Sequence, residues 1–196
     1  KAVVDAYDGK VTLYITDETD RVLQTWRKAF PDLFYPVSEA SPQIRAHFRY
    51  PQDLFKIQSV IWADYHMRAS DAYYTREGAW RIPQDADFIS LRRERARAEH
   101  EQRNPDLRPY WLRTRFPGLS MPEFAIVQPF SPENRNVLSG YLVGGSDNDR
   151  LGKLTSYSFP PDATVIGPSQ AQARIDQDER ISAWMTLRMQ SGSRVS

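Results

Sequence analysis

The sequence predicts an α+β domain: mainly antiparallel strands in hairpins, packed against several helices. Three observations carry that prediction. Stretches with period-two alternation come in blocks, not one for one with helices, which argues against a doubly wound parallel sheet. Apolar residues recur at helical spacing in stretches bounded by capping residues and prolines. Pairs such as Asp8-Gly9 and Pro117-Gly118 separate the strand candidates as turns do. With 196 residues the chain is sized for one soluble domain, residues 1–196, long enough to bury a sizeable core. Its 5 Trp, 10 Tyr and 9 Phe supply much of the area to bury.

The first element is a hairpin. KAVVDAY and KVTLYIT flank Asp8-Gly9, with Val11, Leu13 and Ile15 on one face and Thr12, Tyr14 and Thr16 on the other. A helix follows, capped by Asp17 or Thr19, carrying Val22, Leu23, Trp26 and Phe30 at helical spacing and stopped by Pro31. SPQIRAHFRY predicts a short helix from Pro42, and Pro51 opens a longer one. In that longer helix Leu54, Phe55, Ile57, Val60, Ile61, Trp62 and Tyr65 cover most of the circumference, the pattern of a helix sandwiched between two layers. A further short helix is capped by Ser70 or Asp71. From Asp85 to Asn104 both charge signs mix with few apolar residues, which predicts a mobile charged insertion (85–104). RPYWLRTRF and PEFAIVQPF are strands around Pro117-Gly118; NVLSGYLV is a short apolar helix leading to the loop GGSDNDRLG. KLTSYSF and ATVI are strands around Pro160-Pro161. Two helices close the chain, Ser169 to Ile175 and Glu179 to Gln190, with Gly192 as a stop. The core is expected around Trp26, Trp62 and Trp184.

Charge excludes some functions. With 26 basic against 25 acidic residues there is no electrostatic footprint for nucleic acid and no bulk attraction to a membrane surface. The absence of cysteine rules out disulfides and thiolate chemistry and is compatible with either redox compartment. No run approaches the ~20 apolar residues of a spanning helix, so direct membrane insertion of this stretch is not expected. The start at Lys1-Ala2-Val3-Val4, without an initiator Met and with an apolar run under way, reads as an excised segment.

The chemistry-bearing residues fall short of complete motifs. Asp176, Asp178 and Glu179 crowd together, but a calcium loop begun at Asp176 would have Arg180 and Ile181 at its fifth and sixth positions. Asp178 as an N-cap, with Glu179 at the positive helix end, explains the same residues. In DNDRLGKLTSYS, Asp147, Asp149 and Gly152 suit a calcium loop, while Leu151 and Ser158 occupy ligand positions. His47, His66 and His100 match no metal motif. His100 sits in the charged segment; His47 and His66 lie among aromatics, where a hydrogen-bonded structural histidine is the default, and a zinc site would need them to meet with a third ligand. Ser169 follows a strand and a sharp Gly167-Pro168 turn, as a nucleophile elbow would, but Ala171 replaces the second glycine and no base is evident. Gly144-Gly145 is too short for a phosphate loop. On these grounds no catalytic, cofactor-binding or metal residue is assigned, and no cofactor is expected.

Several stretches together resemble one family: VDAYDGKVTLYITD, WRKAFPDLF, IRAHFRYPQDLFKIQ, YHM, EFAIVQPFSPENR, GPSQAQARIDQD and QSGSRV. They look like an uncharacterised family (UPF class) of large bacterial multi-pass membrane proteins, with N-terminal transmembrane helices followed by a long soluble region. The resemblance covers nearly the whole chain and fades in the charged segment. It implies an internal piece of a membrane protein, continuing past Gly192-Ser193-Arg194-Val195 into more strand. It carries no assigned reaction, and at Gly167-Pro168 the matching residue is Gln170, not Ser169. The expected function is a non-catalytic assembly or interaction domain of a plasma-membrane protein, on its extracytoplasmic side. Its expected partners are the rest of the parent chain and possible further copies of itself, with no nucleic acid. The alternative is a hydrolase using Ser169 or a metal centre at His47 and His66.

Overall fold

The structure, a computed structural model, describes residues 1–85, 106–147, 150–160 and 162–190. The expected charged insertion therefore lies, apart from Asp85, outside the described residues. The fold is α+β, with two sheets and six α-helices among the described residues.

In the first sheet β1 (Ala2–Val4) runs antiparallel to β2 (Val11–Ile15), and β2 runs parallel to β3 (Phe34–Pro36). The hairpin forms as expected, but Val4 pairs with Val11, so the connection is a wider loop than an Asp-Gly turn. The Asp5 carboxylate organises it by accepting from Tyr7 N at 2.8 Å, and Gly9 supplies a φ of 73°. The parallel strand β3 was not foreseen; it needs the crossover helix α1 (Arg21–Ala29) between β2 and itself. That helix is capped by Asp20, whose carboxylate accepts from Val22 N at 2.8 Å and Leu23 N at 3.1 Å. The expected cap Asp17 instead binds the backbone N and the hydroxyl of Thr19, and these bonds hold its carboxyl below the usual range.

The second sheet is built on one long strand, β6 (Glu123–Pro132). On one edge it pairs with β7 (Gly140–Gly145), which pairs in turn with β8 (Leu154–Ser158). Its other edge is shared by β5 (Tyr110–Thr114) and β4 (Trp80–Arg81). All these pairs are antiparallel. The stretch NVLSGYLV thus contributes a strand, not the expected helix. Gly140 weakens a helix by about 1 kcal/mol, while β6 and β8 offer hydrogen bonds on both edges. ATVI, expected as a strand, makes one isolated bridge, Val137 with Ile166.

Both faces of this sheet are covered. On one face Ile126, Phe130 and Leu142 meet Tyr50, Phe55 and Ala63, with Trp62, Trp80, Ile82 and Trp111 packed around them. On the other, Ala125, Val127 and Val143 lie with Phe116 among Leu112, Leu119, Tyr141 and Tyr157. Burial on both faces explains why β6 reads as a near-continuous apolar run. The core is therefore not centred on Trp26 and Trp184, which are 54% and 50% exposed; of the three expected tryptophans only Trp62 packs against it.

The covering helix is α3 (Gln52–Tyr65), which follows α2 (Pro42–Ala46) and presents Phe55, Ser59 and Ala63 to the sheet at i, i+4 spacing. Small residues at 59 and 63 let it lie close, and the Ser59 hydroxyl is satisfied by donating to Phe55 O at 2.8 Å. The sheet reciprocates with Gly144: a Cβ there would stand 2.8 Å from Ile126 Cγ2, 2.9 Å from Tyr50 Cδ2 and 3.0 Å from Phe55 Cδ2. After α3 come α4 (Ser70–Thr75), preceded by Ala69 with no side-chain cap in place of the expected Ser70 or Asp71, and, beyond the second sheet, α5 (Pro168–Gln177) and α6 (Glu179–Gln190). Among the described residues no helix is long and apolar enough to cross a membrane.

This packing separates two aromatic positions. Phe55→Ala, at a fully buried site, is expected to cost about 3–5 kcal/mol. Trp26→Ala should cost less than about 1 kcal/mol. Urea unfolding of both variants checks the difference, and equal losses would mean the core is misplaced.

Candidate functional site

The residues singled out for chemistry are distributed over the fold and engaged locally. Asp178 caps α6: its Oδ1 accepts from Arg180 N at 3.0 Å and Ile181 N at 3.2 Å. The acidic cluster before Ile181 is thus the front of a helix. Asp147 accepts from Phe124 N at 2.9 Å and Arg150 N reaches Asp147 O at 2.7 Å, so this carboxylate pins the β7–β8 loop to the start of β6. Asp149 and His100 lie outside the described residues.

Ser169 is the second residue of α5, whose N-cap is Gly167. A side chain at 167 would collide with Asn136 O, so the glycine serves close backbone approach. Among the described residues Arg76, at φ 57°, is the non-glycine with positive φ, so Ser169 does not sit on a strained elbow. His47 Nδ1 lies 2.7 Å from Gln43 O. His66 Nδ1 lies 3.0 Å from Ala63 O and 3.3 Å from Trp62 O, and its Nε2 lies 3.2 Å from Gly78 O. Both ring nitrogens face carbonyl oxygens of the fold, so His66 is engaged within its own corner and turned toward no serine or metal-ligating group among the described residues. Its ring stacks on Trp80 at 3.9 Å, and Trp80 stacks in turn on Phe130 at 5.4 Å. No group of three or more His, Asp or Glu residues gathers in a metal-ligating arrangement among the described residues.

Two polar constellations escaped sequence reasoning. The first lies at the C-terminal end of α3. Arg76 donates from Nε to Glu133 at 3.2 Å and reaches Asp64 at 3.4 Å. The hydrogen bond to Glu133 is the main reason its guanidinium is raised above its ordinary value, and Asp64 adds to it. Arg81 donates to Glu133 O at 3.1 Å and to Asn136 Oδ1 at 2.8 Å. These pairs tie α3, α4, β4 and the β6–β7 connection into one corner, and each charge has a partner, as in a clamp. No sequence motif marks them, because the partners lie far apart in the chain.

The second is Glu123 with Arg150. The Glu123 side chain is 4% exposed, at the first position of β6. Arg150 Nε lies 3.4 Å from both its oxygens, donating to Oε1, and Arg150 Nη2 donates to Thr155 Oγ1 at 3.0 Å. Oε2 has no hydrogen-bond partner among the described residues. Gly145 makes room for this carboxylate, because a Cβ there would run into Glu123 Oε1. A buried carboxylate held by one guanidinium stabilises little net but is sensitive to losing its partner.

An α+β domain whose polar groups are spent on each other, and whose helices keep apolar residues on the surface, is the class this geometry defines. The chain belongs to the uncharacterised protein family UPF0182, whose family model matches residues 1–188. A UPF0182 protein of Pelotomaculum thermopropionicum is 39% identical over 195 residues, covering 100% of this chain and 20% of that protein. Relatives from Trichodesmium erythraeum and Methanospirillum hungatei are each 40% identical over 195 residues, with the same coverage. The chain thus spans about a fifth of the length of these curated relatives. No solved structure matches it.

The buried pair yields a sharp expectation. Arg150→Met leaves the Glu123 carboxylate buried without its counter-charge and should cost about 3–5 kcal/mol. Adding Glu123→Gln to that variant should recover much of the loss. A double-mutant cycle by urea unfolding reads the coupling, and simple additivity of the two losses would contradict it.

Proposed function

We propose that this chain is a non-catalytic assembly domain of a larger membrane protein, placed on the extracytoplasmic side. The observation that carries the reading is the apolar surface of its helices. No residue of α1 is buried, although Val22, Trp26 and Phe30 form one stripe along it. α6 likewise leaves Trp184 and Leu187 exposed. A helix normally turns such a stripe to the core of its own domain, and contiguous exposed apolar patches mark interaction sites. The relatives' length supplies a partner: about four fifths of each lies outside the matched region. The membrane setting rests on the sequence resemblance, and the side of the membrane is read directly by reporter fusions to the intact protein.

The test is substitution of the stripes in the full-length protein. Trp26→Asp and Trp184→Asp should leave the unfolding free energy of the domain within about 0.5–1 kcal/mol of the parent, as surface changes do. Both should reduce the assembled species seen by light scattering or native mass spectrometry. Unchanged assembly in both variants would contradict the proposal, as would an extracytoplasmic reporter that stays inactive.

A further inference from the structure

The helix α3 shows where one missing layer belongs. Its sequence pattern is that of a helix sandwiched between two layers, apolar almost all round. The described residues supply one of those layers. At about 100° per residue, Phe55, Ser59 and Ala63 cluster on the side that meets the sheet. Leu54, Ile57, Val60, Ile61 and Tyr65 occupy the opposite side, and all five are exposed, Ile57 at 59% and Ile61 at 51%. The outer face carries Ile57, Ile61 and Tyr65 in a ridge at i, i+4 spacing, flanked by Leu54 and Val60, with Asp53 and Asp64 along one margin and Tyr65 meeting Tyr73 of α4 at 5.9 Å between ring centroids.

We propose that this face is the docking surface for an amphipathic helix of the same polypeptide, from the part outside residues 1–196. The proposal rests on the assembly reading and specifies its site and partner. An i, i+4 ridge fits the groove between equivalent ridges of another helix, which selects a helix as the occupant. The source follows from length and area. The relatives are about five times as long as the matched stretch, so most of the polypeptide is available to cover it. A second copy is the weaker occupant. The 14 residues of α3 span roughly 21 Å, so a symmetric contact between two α3 faces would bury roughly 800 Å² in total, about half of what a stable dimer needs. A tethered helix escapes that requirement, because the linkage makes its docking intramolecular.

The experiment uses the full-length protein and two readouts. In the first, Ile61→Cys and Tyr7→Cys are alkylated under native conditions and followed by peptide mass spectrometry; Tyr7 is 100% exposed and serves as the open control. Position 61 should react at least tenfold more slowly, and equal rates overturn the proposal. In the second, position 61 carries a diazirine-bearing residue introduced during synthesis. Illumination should join it to a peptide of the same polypeptide outside residues 1–196 without doubling the chain mass. A crosslink to a second copy, or to residues within 1–196, overturns the proposal. The same photoreactive residue at Leu187 separates the two ideas. If position 187 crosslinks and position 61 does not, the assembly reading stands and the α3 assignment fails; if neither does, both fail.

Discussion

The seating of α3 on the second sheet is the constraint on which the rest of the structure depends. It is made by absences: no Cβ at Gly144, one methyl at Ala63 and a small hydroxyl at Ser59. Through the gap at Gly144, Tyr50 and Phe55 reach Ile126 on the central strand, with their rings edge to face at 5.5 Å. Interiors packed at crystal-like density tolerate little change in such a contact. Once α3 is seated, its ends are held by polar contacts that would be costly to bury unpaired. Tyr50 N donates to the buried Ser146 hydroxyl at 3.0 Å, and Trp62 Nε1 donates to Ser156 Oγ at 2.9 Å. His66 caps the far end on Trp80.

The same seating creates the functional question. A helix fixed this firmly on one side has no freedom to rotate its outer apolar side chains inward. Leu54, Ile57, Ile61 and Tyr65 remain on the surface because Phe55, Ser59 and Ala63 already occupy the interior. The polar groups give no comparable opening. Arg76, Asp64 and Glu133 pair with each other, His66 faces carbonyl oxygens, and Ser169 begins a helix. What the domain offers outward is apolar, and that is why its function is read as assembly.

Local chemistry was legible in the sequence and long-range chemistry was not. The α+β class, the first hairpin, the long helix after Pro51, the pair β5 and β6, and the Asp178 cap all follow from patterns a few residues long. The errors have physical sources. Asp20 caps α1 because it directly precedes the first helical residue, Arg21, while Asp17 is engaged with Thr19 further upstream. β7 was mistaken for a helix because its apolar residues carry no strand alternation when both faces are buried. The tryptophan core was misjudged because helical spacing reports a common face, not whether this chain covers it. The Glu123–Arg150 and Arg76–Glu133 pairs join residues 27 and 57 positions apart, beyond any local signal. The all-round apolarity of α3 predicted a sandwiched helix, yet among the described residues only Phe55, Ser59 and Ala63 are buried and the outer apolar residues are exposed, because a local pattern does not tell which faces are covered.

The central claim is that the gap at Gly144 seats α3 on the sheet. The most direct measurement is equilibrium unfolding of Gly144→Ala. The added methyl must displace Ile126, Tyr50 or Phe55, and the expected loss is about 1–3 kcal/mol. An unfolding midpoint equal to that of the unsubstituted protein would contradict the account, because it would mean that the helix and the strand do not meet where the structure places them.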